Sequence, residues 1–167
     1  LAVELAVAAF KAGVAVSANL NLGGFDTHAN HDRDQPRQLA KLLFGIDYLM
    51  TLADSELGGN VIVVAASDFG RGPFYNGTSA GSGKDHWPVT SMFALGAGIP
   101  GDRVIGGTTA DQRALLVDPY SLAVVDGVDG VDGVRIRPEH VHHALRELAG
   151  VDGEAYPLPG QALPLFS

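Results

Sequence analysis

The sequence contains no cysteine. Disulfides, thiolate zinc sites and cysteine nucleophiles are thereby excluded, although the redox compartment stays open. Any metal falls to histidine and aspartate, a donor set suited to zinc, manganese, magnesium or calcium. Positive charge is scarce too: 11 Lys and Arg stand against 19 Asp and Glu, for a formal charge of −8. With no clustered Lys and Arg, neither nucleic acid nor an anionic membrane surface is expected as a partner. No apolar run approaches the length of a bilayer crossing, so no membrane span is expected. Two further motifs fail on inspection. In "GTSAGSGKDH" (77–86), Asp85 follows Lys84 where a phosphate loop requires Ser or Thr. No strand leads directly into the same segment, so the serine-hydrolase reading drops as well.

What is present is a globular composition. At 167 residues, 46% apolar and 18% charged, the chain is long enough for one domain with a real core. It opens on "LAVELAVAAFKAG", without Met and already inside an amphipathic helix, and without the basic stretch or cleavage site of a signal peptide. The expectation is the C-terminal part of something longer.

Periodicity predicts a helix over 1–12, with Leu1, Leu5, Ala8 and Ala9 on one face and Gly13 as its stop. "VAVSANL" (14–20) reads as a strand. A second helix is expected over 36–57, with Pro36 in its first turn and an apolar stripe of Leu39, Leu42, Leu43, Ile46, Leu49, Met50, Ala53 and Leu57 before Gly58-Gly59. "NVIVVAA" (60–66) has the unbroken β-branched character of a central strand covered on both faces. "SMFALGAG" and "RVIGG" read as further short strands, and a last helix is expected over 138–149, carrying Val141, Leu145 and Leu148. The Val-Asp-Gly repeat at 125–134 is turn chemistry rather than a calcium loop. The Pro-rich segment 151–167 is expected to be irregular. Alternating helices and strands point to an α/β fold with a parallel sheet, in which ligands gather beyond the carboxyl ends of strands.

Four polar clusters could carry chemistry. In "GGFDTHANHD" (23–32), Asp26, His28, His31 and Asp32 follow the expected first strand. Positions i and i+2 of an extended loop face the same way, so Asp26 and His28 can converge on one ion. Helix capping and turn formation explain the same residues equally well. In "SDFGR" (67–71), Asp68 is placed as a metal ligand or base, or else forms a structural pair with Arg71. In "GKDHWP", Asp85 and His86 can both ligate if metals lie on either side of the chain, or they belong to a surface turn beside Lys84, anchored by Trp87 and Pro88. The histidines of "EHVHH" (139–143) lack the i, i+4 spacing of a helical zinc motif and are set aside.

In order and wording, "LGGFDTHANH", "SDFGRGPFYN", "SGKDHWPVTSMFALGAGI" and "VIGGTT" resemble the C-terminal half of the domain-of-unknown-function family 1501, bacterial and commonly exported proteins of the alkaline-phosphatase-like superfamily. The resemblance runs over roughly 1–150, leaving 151–167 as a tail. It implies a doubly wound, mostly parallel α/β sheet flanked by helices, export to the periplasm, and a two-metal phosphatase or sulfatase centre acting on a small anionic ester. It further implies Asp26, His28, Asp68, Asp85 and His86 as metal ligands, with Arg71 steadying an anion or orienting Asp68. Asp68 stands where many members have Glu, and Trp87 where others have Gly. The nucleophile of the superfamily comes from the N-terminal half, outside this chain. The alternatives to a hydrolase are a non-catalytic exported binding or surface protein with at most a structural metal, and an inactive fragment.

Overall fold

The structure, a computed structural model, describes residues 1–126, 132–151 and 153–167. They divide into two compact units, Leu1–Ala97 and Gly98–Ser167.

In the first unit, helix α1 (Ala2–Lys11) packs on helix α2 (His31–Leu57). Val7 and Ala53 are buried between polar tethers: Tyr48 donates to Glu4 at 2.8 Å, and Lys11 pairs with Glu56. Both tethers advance together along the two helices, so α1 and α2 run in the same sense. Residues 12–30 therefore travel back along their length, and they do so without forming the expected strand. Val14 and Val16 of "VAVSANL" are 79% and 99% exposed and pair with nothing regular. Helix α2 begins earlier than Pro36 predicts. Asn30 precedes it in the left-handed region at φ 50°, a conformation Asn tolerates, and its carbonyl accepts the N–H groups of Arg33 and Asp34. Pro36 thus lies inside the helix, in its second turn, where it has no N–H to offer the carbonyl four residues earlier. Of the expected stripe, Ala53 is buried while Leu39 and Leu43 remain exposed.

The expected doubly wound, mostly parallel sheet does not form. Strand β1 (Ile62–Ala65) pairs antiparallel with β4 (Phe93–Gly96), and between them in sequence β2 (Gly70–Arg71) pairs antiparallel with β3 (His86–Trp87). Each sheet has two strands, so the β-branched run is an edge rather than a central strand. Its exposure alternates, with Ile62 and Val64 open and Val63 and Ala65 half-buried. β-Branched residues favour an extended backbone, but what covers its faces depends on neighbours that the run does not encode. Among the described residues no helix is long and apolar enough to cross a membrane.

In the second unit, helix α3 (Pro138–Leu148) forms where the pattern predicts it. Pro138 supplies a helical φ at its start, and the buried His140 accepts the Arg137 N–H on Nδ1 at 3.0 Å. "RVIGG" forms no strand, and Val104 is 95% exposed. Val117 is fully buried and exchanges two backbone bonds with Val134, 2.9 and 2.8 Å. The middle of the Val-Asp-Gly repeat, 127–131, and Asp152 lie outside the described residues. The Pro-rich segment is irregular, yet Leu163 and Leu165 complete the core with Leu122 and Ala144, and Ile105, Ile136, Val141 and Phe166 pack against it.

Leu163→Ala removes one of the two largest fully buried side chains. It is expected to lower the unfolding free energy by about 2–5 kcal/mol, whereas Val104→Ala, at an exposed position, should change it by less than about 0.5 kcal/mol. Urea unfolding curves of the two variants check this; equal curves would mean that 163–165 do not belong to the core.

Candidate metal centre

The loop "FDTH" is irregular, with the Thr27 N–H donating to Phe25 O at 2.9 Å and the His28 N–H to Asp26 O at 3.1 Å, and its side chains part to opposite sides. Thr27 turns inward, 5% exposed, with Oγ1 2.8 Å from His31 Nδ1 and 3.2 Å from Gln35 Oε1. Asp26 and His28 turn the other way together. Across from them, the β2–β3 register sets Arg71 opposite His86. The two segments are stitched by Lys84 N–H donating to Thr27 O at 3.2 Å, and a single bridge pairs Ala29 with Ser82. Contact between them is close enough to require glycine at 83, and the ribbon itself requires glycine at 70. A Cβ on Gly83 would lie 2.0 Å from the His28 carbonyl carbon, and one on Gly70 would lie 2.0 Å from Val89 O.

Asp26 Oδ1 is the focus. His28 Nδ1 and His86 Nε2 both stand 2.9 Å from it, and Arg71 Nη2 donates to it. The Arg71 side chain is 8% exposed, and its other contacts go to backbone: Nε and Nη2 to Phe25 O at 3.2 and 2.9 Å, Nη1 to Lys84 O at 2.6 Å. The imidazoles are braced from outside. Phe69 stacks on His86 with centroids 3.9 Å apart and rings 10° from parallel, and the two imidazole centroids are 4.8 Å apart. The Arg71 hydrogen bond first, and that of His86 second, hold the Asp26 carboxyl below its ordinary 3.8, at about 2.

Asp26, His28 and His86 each offer one ligand atom, all within 4.8 Å of one another; among the described residues they are the one such group. Tetrahedral zinc holds its ligand atoms roughly 3.4 Å apart, given bonds of about 2.0–2.1 Å. The two nitrogen–oxygen pairs at 2.9 Å would open by about half an ångström to admit the ion between them. Asp85 stands at the margin, its Oδ1 4.0 Å from His28 Nε2. Asp68 lies exposed in the bend between β1 and β2, outside the group. His31 and Asp32 leave the cluster for the first turn of α2, where burial, then the charge of Lys84, holds the His31 imidazole below its ordinary range.

Sequence reasoning passed over Asn76. Its amide donates to His28 O at 2.9 Å and Asp85 Oδ1 at 3.3 Å, and its oxygen accepts the Gly83 N–H at 3.0 Å. An Asn inside a Gly/Ser-rich run reads only as turn chemistry, so no signal singled it out. Residues 77–81, Gly-Thr-Ser-Ala-Gly, do spell the G-x-S-x-G pattern of a nucleophile elbow. The strand-to-helix context is missing, however, and Ser79 Oγ shares a 3.2 Å bond with Ser82 Oγ rather than with an imidazole.

A family model described as "Protein of unknown function (DUF1501)" matches residues 5–124, a stretch that includes every residue of the centre. No curated protein and no solved structure matches the chain.

Two outcomes follow from the geometry. Gly83→Ala is expected to separate the 27–29 and 82–84 segments, seen as loss of the close His28–His86 contacts in NMR spectra. Unchanged spectra would mean the backbones have room that the distances deny. The Asp26 carboxyl is depressed in the folded state, so its contribution to stability is complete above pH about 4. It is lost as pH falls through about 2. Urea midpoints measured from pH 5 to pH 2 should therefore fall less steeply in Asp26→Asn than in the unsubstituted protein.

Proposed function

The chain belongs to the DUF1501 family, and on that premise we propose that Asp26, His28 and His86 form a divalent-metal centre serving the hydrolysis of a phosphate or sulfate ester. The observation that carries it is the shared focus: two imidazole nitrogens from separate segments, each 2.9 Å from one carboxylate oxygen that a buried guanidinium holds in place. The donor set fits. Two imidazoles and one carboxylate are a familiar catalytic zinc set with a position left open, whereas calcium and magnesium prefer oxygen alone. Zinc or manganese is therefore favoured. Solvent reaches all three ligands, so an ester can too. The bound ion would supply a Lewis acid for an ester oxygen.

The protein's own part is positional. Arg71 spends its donors on Phe25, Lys84 and Asp26, so its role is to orient Asp26 and keep it ionised rather than to reach a substrate anion. Asn76 sets His28 through its carbonyl and holds Asp85 beside it. Asp85 is the nearest reserve ligand, and Asp68 requires movement of its bend to join. The motif resemblance to the alkaline-phosphatase-like superfamily supports ester chemistry on residues rather than on sheet topology, and it assigns the nucleophile to a region N-terminal to these residues.

Calorimetric titration with zinc and manganese tests the reading. Saturable binding is expected, more acid-sensitive than at an all-carboxylate site because the imidazoles must be neutral to ligate. Arg71→Lys should weaken it by about 10–100-fold, as loss of a ligand's hydrogen-bond partner does, and Asp26→Asn or His86→Ala by more. Turnover of nitrophenyl phosphate or sulfate by these 167 residues should be slight, since removing a nucleophile lowers rates by orders of magnitude. Metal affinity identical in His86→Ala and the parent would sink the centre; rapid metal-dependent turnover would show a nucleophile within the chain.

A further inference from the structure

A second cleft opens in the first unit, of about 240 Å³, walled by Asp32, Tyr75, Thr78, Ser79 and Ser82. It shares one loop with the metal centre. Asn76 sends its side chain to His28 and Asp85, while its neighbours Tyr75 and Gly77 line the cleft.

One wall is rigid. The Tyr75 hydroxyl donates to Asp32 Oδ1, Lys84 Nζ lies 5.0 Å from the Tyr75 ring centroid, and His31 meets that ring at 82° with centroids 6.2 Å apart. The bond to Asp32 raises the Tyr75 pKa, so the hydroxyl stays a donor. The Asp32 carboxylate keeps acceptor capacity beyond the Tyr75 bond, and the rest of the lining supplies hydroxyls from Thr78, Ser79 and Ser82, the two serines already linked at 3.2 Å.

This lining selects by charge. An anion would meet the Asp32 carboxylate. A polyamine would find one carboxylate, with the Lys84 ammonium already close beside Tyr75. A neutral ligand rich in hydroxyls satisfies both walls: it donates to the carboxylate and exchanges donor and acceptor roles with the serines and threonine. The volume is below the roughly 300–1,000 Å³ of sites for drug-sized ligands, which suits a single ring. We propose that this cleft binds a neutral polyhydroxylated ring, a monosaccharide unit or a cyclitol. The inference does not depend on the metal reading.

The test is titration of the full chain, followed by NMR, with glucose, galactose, mannose and myo-inositol, and with inorganic phosphate and spermidine as charged comparisons. At least one neutral ring should bind saturably with a Kd of about 10 mM or tighter, and neither charged probe should match it. Asp32→Ala should weaken binding at least about tenfold, the usual effect of losing a hydrogen bond to a charged group. His86→Ala should leave it unchanged, which separates this site from the metal centre. Should Asp32→Ala fail to fold by thermal melting, the Ser79→Ala, Ser82→Ala double variant carries the same expectation. The proposal is overturned if no neutral ring saturates, if phosphate or spermidine binds as tightly, or if the folded variants bind as the parent does.

Discussion

A nearly buried guanidinium organises the first unit. Arg71 has little water to turn to, so its N–H groups must find oxygen within the protein, and they find it on two segments: Phe25 and Asp26 of the returning loop, and Lys84 before β3. Each contact fixes chain that would otherwise be free, because residues 12–30 form no regular structure and β2 and β3 are two residues each. A lysine could neutralise Asp26 but could not fork to two carbonyls and a carboxylate at once. Carbonyls stripped of donors in a water-poor setting cost about 1–3 kcal/mol each. The clamp therefore does two things: it ties the loop to the ribbon, and it aims one carboxylate oxygen at two imidazoles.

Everything else near that oxygen follows from close backbone approach. Glycine at 83 lets the ribbon and the loop meet with no side chain between them, and glycine at 70 lets β2 lie against the Val89 carbonyl. Thr27, pointing the other way, locks the loop to the first turn of α2 through His31 and Gln35. The same local turns that bury Thr27 present Asp26 and His28 outward as a pair. Phe69 then fixes the His86 ring by stacking. The centre is thus preorganised chiefly by backbone pairing, glycine and one arginine, rather than by a deep apolar pocket.

Local signals in the sequence were readable where they depend on neighbours in the chain. The amphipathic spacing of α3, the Gly58-Gly59 stop of α2 and the pairing potential of Phe93–Gly96 are of this kind, whereas α1 forms where expected but buries Val7 and leaves Leu1 and Leu5 of its expected face exposed. So is the approach of Asp26 to His28, two residues apart in the chain, although tight local turns rather than an extended backbone bring it about. What failed is non-local. A β-branched run such as 62–65 looks the same whether helices cover it or water does, and "VAVSANL" looks like a strand until no partner arrives. The start of α2 was misplaced because Pro36 was weighed as a boundary, when Asn30 in the left-handed region supplies the real one. Arg71 was visible as a charged partner. That its donors would be consumed by Phe25 and Lys84 could not be read from spacing.

The core of the second unit has a temporal consequence. α1 and α2 hold every residue of their mutual contact by position 57, so they can associate while the rest of the chain is still being synthesised. Leu122 and Ala144, by contrast, wait for Leu163 and Leu165. On a ribosome adding about 5–20 residues per second, helix α3 is made with only Leu122, Ile105 and Ile136 available to its apolar face, and the cluster stays incomplete until Leu163 and Leu165 follow. During that interval the nascent second unit is open to chaperones and to misassociation, while the first is already closing.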